Sequence, residues 1–255
     1  MAESSEQLEL FSTLPKGLPK GLPEYTIRES ARARHVSIKV SLKKDIEVVV
    51  PRGFDPRRVP ELLQKRRAWL WQTVQRLEQQ TAGLEPHHFE AKPSKVEVRS
   101  RDETWEVLYK PASTRRIELT QPAPLTLVIR GDTDNTPTCT DLLRQWLARK
   151  ARAEFAPWLR ELSFDIDLPF NRISIRGQKT RWASCSSQKN ISLNYKLLFL
   201  PPELVHYVFV HELCHTIHMN HSRAFWHLVG EKQPDFAAYR DQIREGWQYV
   251  PQWVE

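Results

Sequence analysis

The chain has 255 residues, with 38 Lys and Arg against 31 Asp and Glu and a formal net charge of +7, enough for one large or two small cored domains. Three cysteines (Cys139, Cys185, Cys214) show no paired spacing, which argues against a disulfide framework. No apolar stretch approaches the roughly 20 residues that a bilayer span needs, and the start MAESSEQLELFSTLP lacks the basic and apolar runs of a secretory signal, so the cytoplasm is the expected location.

Residues 1–23 are polar and end in the repeat Lys16-Gly17-Leu18-Pro19, Lys20-Gly21-Leu22-Pro23, the composition of a disordered tail. Folded structure is expected from near Tyr25. Val36 to Val40 and Ile46 to Val50 predict a hairpin around Lys43-Lys44-Asp45. Asp55-Pro56 opens and Gly83 stops a helix near 56–81, striped by Leu63, Leu70, Val74 and Leu77. Short alternating runs at Val96 to Val98, Trp105 to Tyr109, Ile117 to Leu119 and Leu125 to Ile129 predict strands. Thr140 or Asp141 opens the next helix, with Leu143, Trp146, Leu147, Phe155, Trp158 and Leu162 as its buried stripe. Pro157 is expected to kink or split it near Ala156. Ile173 to Arg176 and Asn190 to Leu193 predict further strands. Pro201-Pro202-Glu203 starts a helix that is apolar almost all round from Leu204 to Ile217. Ser222 caps another running to Gly230, and Asp235 to Trp247 predicts a closing helix. The pattern is that of an α+β fold with strands and helices segregated. The expected division is a disordered tail (1–23), a β-rich basic region with one long helix (24–137) and a C-terminal domain (138–255).

Inside the apolar helix stands His211-Glu212-Leu213-Cys214-His215, the pattern HExxH, and six positions further comes His221. Positions i and i+4 share a helix face, so His211 and His215 can present imidazoles to one ion. Glu212 sits beside the first ligand, placed to act on water rather than to bind the metal. Histidines and a glutamate in so apolar a helix carry a desolvation penalty that a metal relieves. With three protein ligands zinc keeps an open position, the mark of a catalytic site. A straight helix would carry His221 roughly 15 Å along the axis from His211, so the helix must end first and the chain fold back. Asn220 is suited to close it in the left-handed conformation. His218 projects within about 60° of both histidines and is read as a wall beside the site. The spacing also matches the metzincins, except that His218 stands where they have glycine. Cys214 is expected in the core and Cys185 in packing, with His206 and His227 structural. Arg181, Asn194 and Tyr195 are open candidates for orienting substrate.

Thr180-Arg181-Trp182-Ala183-Ser184-Cys185-Ser186, Ile191-Ser192-Leu193-Asn194, the HExxH segment, and Asn220-His221-Ser222 with Phe225-Trp226 together resemble the YgjP-like metallopeptidase-domain family, a relative of the SprT-like zincins. Arg34-His35-Val36-Ser37-Ile38 through Val50-Pro51-Arg52-Gly53 resembles its N-terminal part. The resemblance implies His211, His215 and His221 as metal ligands and Glu212 as the catalytic acid/base, with a zincin-like pair of helices holding the ion and 138–255 as the zincin-like catalytic domain. The chain departs from relatives at Ala183, where glycine is usual, and from about Ala82 to Pro137, which is enlarged.

Three functions follow. The first is a zinc-dependent metallopeptidase acting on peptide or protein. The second, also implied by the resemblance, is a metal-dependent nucleoside triphosphate (UTP-type) pyrophosphatase. Three histidines suit zinc better than the magnesium usual for phosphates. The third is a nucleic-acid-associated adaptor with a structural ion, against which the intact Glu212 speaks. Residues 24–80 hold 13 Lys and Arg against 7 Asp and Glu, a net of +6. That region is either a solvated face or a weak nucleic-acid contact.

Overall fold

A computed structural model describes residues 24–40, 46–81, 90–114 and 116–254. The expected disordered tail, the Lys43-Lys44-Asp45 turn and the Gly83 stop lie outside the described residues. The chain divides into two units, 1–84 and 85–255. The division therefore falls well before the expected 137/138. The reason is a shared core: Val96, Val98, Trp105, Val107, Leu127 and Ile129 from the middle of the chain bury with Leu143, Leu147 and Phe209.

In the first unit, β1 (Tyr25–Ser30), β2 (Ser37–Val40) and β3 (Ile46–Pro51) form a sheet in the order β1-β3-β2. The expected hairpin is present, with β2 antiparallel to β3 from Ser37 opposite Val49 to Val40 opposite Ile46. β1 adds in parallel on the other side of β3. Branched residues suit a strand, and Ile46, Val48 and Val50 turn one face into a core with Val59, Leu63 and Leu70. Those last three come from the helix expected over 56–81, which is interrupted. A 3-10 turn (Pro56–Arg58), capped by Asp55, leads into α1 (Val59–Lys65), and α2 (Arg67–Thr81) follows after a break at Arg66. There the Arg66 N–H is shared between the Leu62 and Leu63 carbonyls, at 3.1 Å each, which tightens one turn. Leu70 N–H still donates to Arg66 at 2.9 Å, and the apolar stripe crosses the break intact. Several of this unit's cations are paired at the surface, Arg28 with Glu47 at 2.7 Å and Lys65 with Glu61 at 2.9 Å.

In the second unit, β4 (Lys95–Val98), β5 (Glu103–Pro111), β6 (Glu118–Ala123) and β7 (Thr126–Gly131) form a sheet in the order β4-β5-β7-β6, with β5 and β7 parallel. Leu125, expected in a strand, instead occupies the tight turn between β6 and β7 at φ 55°. α3 (Thr136–Asp165) starts earlier than expected, because Asn135 accepts from Thr138 N–H at 3.1 Å and Pro137 fits the first turn. Pro157 does not split this helix. It lies on the exposed side, so the Ala153 carbonyl it leaves without a helical partner faces water. On the opposite side Phe155, Leu159 and Leu162 remain buried.

A second sheet, β8 (Arg172–Arg176), β9 (Ala183–Cys185) and β10 (Asn190–Asn194), has the order β8-β10-β9. Three helices follow: α4 (Pro202–Cys214), α5 (Arg223–Lys232) and α6 (Phe236–Glu245). α4 is held from behind by α3, with Phe209 edge-on to Phe155 at 5.6 Å and to Trp158 at 5.1 Å. No helix among the described residues is long and apolar enough to cross a membrane.

α3 also carries an internal ion pair. Lys150, its side chain 10% exposed, lies 2.8 Å from Glu103, 3.3 Å from Glu154 and 4.9 Å from the Trp105 ring centre. Burial raises the Glu103 pKa, but Lys150 and the Trp105 N–H outweigh it and hold the carboxyl below its ordinary 4.5. Lys150→Met removes the cation that Glu103 and Glu154 share, leaving Glu154 with Arg101 at 3.0 Å and Glu103 with the Trp105 N–H at 2.7 Å, and should lower stability near neutral pH by about 1–3 kcal/mol. A depressed folded pKa gives stability that is present above the ordinary value and lost as pH falls through the folded one. The gap between the two proteins in denaturant unfolding should therefore close in acid. A gap of equal size in strong acid would assign the loss to packing instead.

Candidate metal centre

α4 is buried on nearly every side: Leu204, Val205, Val208, Phe209, Val210, Leu213 and Cys214 are each at most 5% exposed. The polar groups of HExxH therefore sit in an apolar frame. The helix ends sooner than the apolar run to Ile217 predicts. After Cys214 the turns tighten, with Thr216 N–H donating to Leu213 at 2.9 Å and Ile217 N–H to Cys214 at 3.1 Å. Asn220 does not supply the expected left-handed residue; among the described residues, the non-glycine ones with positive φ are Asp102, Leu125, Asp167 and Lys189. The chain turns back through this tightened turn and a bend at Met219 and Asn220, and Ser222 then caps α5 by accepting from Phe225 N–H at 3.4 Å.

That reversal brings His221 to the other two histidines. One ring nitrogen from each of His211, His215 and His221 falls within 4.8 Å of the others. The Nε2 atoms of His221 and His211 are 3.0 Å apart. His215 Nδ1 lies 2.9 Å from the His218 carbonyl oxygen. A carbonyl only accepts, so Nδ1 carries the proton and Nε2 keeps its lone pair free. His218 thus touches the site through its backbone. Phe225 stacks on His215 at 4.4 Å and Trp226 on His221 at 5.5 Å, which fixes both rings.

Burial pushes the His211 pKa down to about 3, helped by His215 and His221, and it lowers His215 as well. Both imidazoles are therefore neutral near pH 7, the form that ligates a metal. Glu212 is 6% exposed, and burial lifts its pKa to about 8. Its Oε2 has no hydrogen-bond partner, and such an orphaned buried oxygen calls for one. Three convergent imidazoles beside it fit a zinc-type ion, and among the described residues no fourth His, Cys, Asp or Glu joins the group.

A cleft of about 500 Å³ opens on this group, lined by Arg181, Trp182, Tyr207, His211, Glu212, His221, Trp226, Arg240 and Arg244. A pocket of about 220 Å³ is lined by His211, Glu212 and His215 together with Ser184, Cys185 and Met219. Cys185, for which packing was favoured over contact with the site, thus lines the site. On β9 it opposes Ile191 of β10, and burial first, then Glu212, raises its thiol to about 11. Cys214 is fully buried, as expected. His206 lies 3.2 Å from Gln233, and the exposed His227 lies 3.6 Å from Glu231.

Of the three open candidates, only Arg181 reaches the cleft. Asn194 is buried and donates to the carbonyls of Gln178 and Arg181, both at 2.8 Å, holding that loop in shape. Tyr195 packs its ring against Gly177. Arg240 and Arg244 were not anticipated. Their i,i+4 spacing on α6 shows that they share a face, but nothing local shows that this face meets the cleft.

A mixed α and β fold whose buried helix, together with the chain reversal after it, brings three imidazoles and a carboxylate to one open cleft defines a candidate hydrolytic metal centre. The model of the YgjP-like, metallopeptidase domain matches residues 34–245, and the chain belongs to that family. Among solved structures it is similar to the metallopeptidase zymogen of Pyrococcus abyssi abylysin, at 25% identity and a TM-score of 0.32, over 36% of this chain and 93% of that one. It is also similar to the metallopeptidase zymogen of Methanocaldococcus jannaschii jannalysin, at 23% identity and a TM-score of 0.31, over 34% of this chain and 90% of that one. No curated protein matches the chain.

Proposed function

We propose that the chain is a zinc-dependent metallopeptidase of the cytoplasm, with α4 and α5 as its zincin-like helix pair. His211, His215 and His221 hold the ion, and Glu212 moves the proton. The observation that carries this reading is the convergence of three imidazole nitrogens within 4.8 Å beside a buried carboxylate oxygen that lacks a partner. Zinc bound there would supply a Lewis acid for the scissile carbonyl and would make water acidic enough to attack near neutral pH.

The rest is the work of the chain's own groups. Glu212 takes the proton from the attacking water and returns it to the leaving amine. Burial alone raises its pKa to about 8, and a cation held beside it would favour the ionised carboxylate that accepts the proton. The His218 carbonyl fixes the His215 tautomer. The Phe225 and Trp226 rings hold His215 and His221 against rotation. Trp182, Tyr207 and Trp226 give the cleft apolar walls that exclude bulk water from the exchange.

The test is zinc-loaded protein assayed in parallel on casein and on UTP. Casein cleavage with UTP left intact is expected. UTP hydrolysis with casein left intact would replace this reading with the nucleoside triphosphate pyrophosphatase.

A further inference from the structure

We propose that the metal cleft selects peptides carrying a carboxylate close to the scissile bond, and that Arg181, Arg240 and Arg244 form the receiving subsite. This rests on the peptidase reading and adds the chemistry of its substrate.

The charge around the cleft is one-sided. Three guanidinium groups line it, and Glu212 is the one carboxylate among its lining residues. Glu212 is buried and belongs to the proton-transfer step. Arg181 makes no ion pair among the described residues. Arg244 has Asp241 at 3.1 Å, and the same carboxylate lies 3.9 Å from Arg240. One aspartate thus serves two arginines, and the group retains net positive charge. Apolar walls beside such a group strengthen its field at the place where substrate lies.

Arg240 is held in place by a ring, Arg181 projects from a braced loop, and Arg244 is an exposed side chain on the same helix face as Arg240. The Arg181 carbonyl accepts from buried Asn194 at 2.8 Å, and the next residue, Trp182, stacks on Trp247 at 4.1 Å and 20°. Arg240 lies over the Trp226 ring at 5.3 Å, and Trp226 in turn stacks on His221 at 5.5 Å. A cation is thereby linked to the ligand group through a single indole. Arginine presents a planar fork that matches a carboxylate with two parallel N–H bonds. Arg240, already lying over the Trp226 ring, loses little freedom on binding. The anion can be an Asp or Glu side chain or the C-terminal carboxylate of a short substrate, and both offer the same group.

The test uses zinc-loaded full-length protein and peptides built on a casein cleavage site, identical except for Glu, Gln or Lys at the flanking positions, with free or amidated C-termini. The Glu peptide should exceed its Gln partner at least tenfold in kcat/KM, mostly through KM, and the Lys peptide should be the poorest. If the gain follows the free C-terminus instead, the terminal carboxylate is the ligand. Arg240→Glu should shrink the Glu-over-Gln ratio and improve the Lys peptide, a gain that misfolding cannot produce. Equal cleavage of all the peptides would overturn this inference and leave the peptidase reading standing. Cleavage of no peptide and no casein by zinc-loaded protein would overturn both.

Discussion

Glu212→Gln is expected to keep zinc at the wild-type level while turnover of casein falls at least ~100-fold, the scale of general-base contributions. The two effects separate because the carboxylate is not placed among the converging nitrogens. The ligand set is three imidazoles, and Glu212 lies beside them, 6% exposed and with one oxygen unpartnered. Glutamine preserves volume and keeps one oxygen, but it cannot take a proton. The substitution has a second readout in metal-free protein. Burial raises the folded pKa of Glu212 from 4.5 to about 8. As pH climbs from 4.5 toward 8 the unfolded chain loses this proton first, so wild-type stability declines across that window. The glutamine variant lacks the titration. It should gain on wild type with rising pH and show no such gain in acid. Substantial casein cleavage by a zinc-replete Glu212→Gln protein would sink the proton-transfer mechanism.

Much of this site was legible because its determinants are local. HExxH fixes two imidazoles and a carboxylate on neighbouring helical positions, whatever the rest of the fold does. The apolar run from Leu204 could belong only to a buried helix, and Ser222 marked the next start through its capping hydroxyl. The less legible parts depend on contacts between distant segments or on backbone atoms, which carry no residue code. The parallel pairing of β1 with β3 has no signal in either strand. Pro157 was expected to disrupt α3, but its effect depended on which side of the helix faced water. The reversal before His221 was assigned to a left-handed Asn220, whereas the turn tightened by the Thr216 and Ile217 N–H groups leads into a bend at Met219 and Asn220 without positive φ. Arg240 and Arg244 join the site only because α6 packs beside α4, an outcome of tertiary structure rather than of pattern.

The same distinction between side chain and backbone sets the expected result at the third ligand. One zinc should bind per chain, and His221→Ala should empty the site while His218→Ala leaves it filled. On a straight helix His218 would be the nearer of the two to His211 and His215, which makes it the natural rival. In the folded chain His221 Nε2 comes to 3.0 Å from His211 Nε2, and His221 belongs to the set of nitrogens within 4.8 Å. His218 instead offers its carbonyl to His215 Nδ1 at 2.9 Å. Alanine removes the imidazole but retains that carbonyl, so His218→Ala keeps the hydrogen bond that orients His215. Its effect on zinc affinity should stay below the roughly 10–100-fold typical of losing a supporting partner. His221→Ala removes a donor outright and should exceed that range. Metal content measured after dialysis against a weak chelator decides between them. Zinc lost from His218→Ala but retained by His221→Ala would reassign the third ligand, and with it the part that the chain reversal after Cys214 plays in building the site.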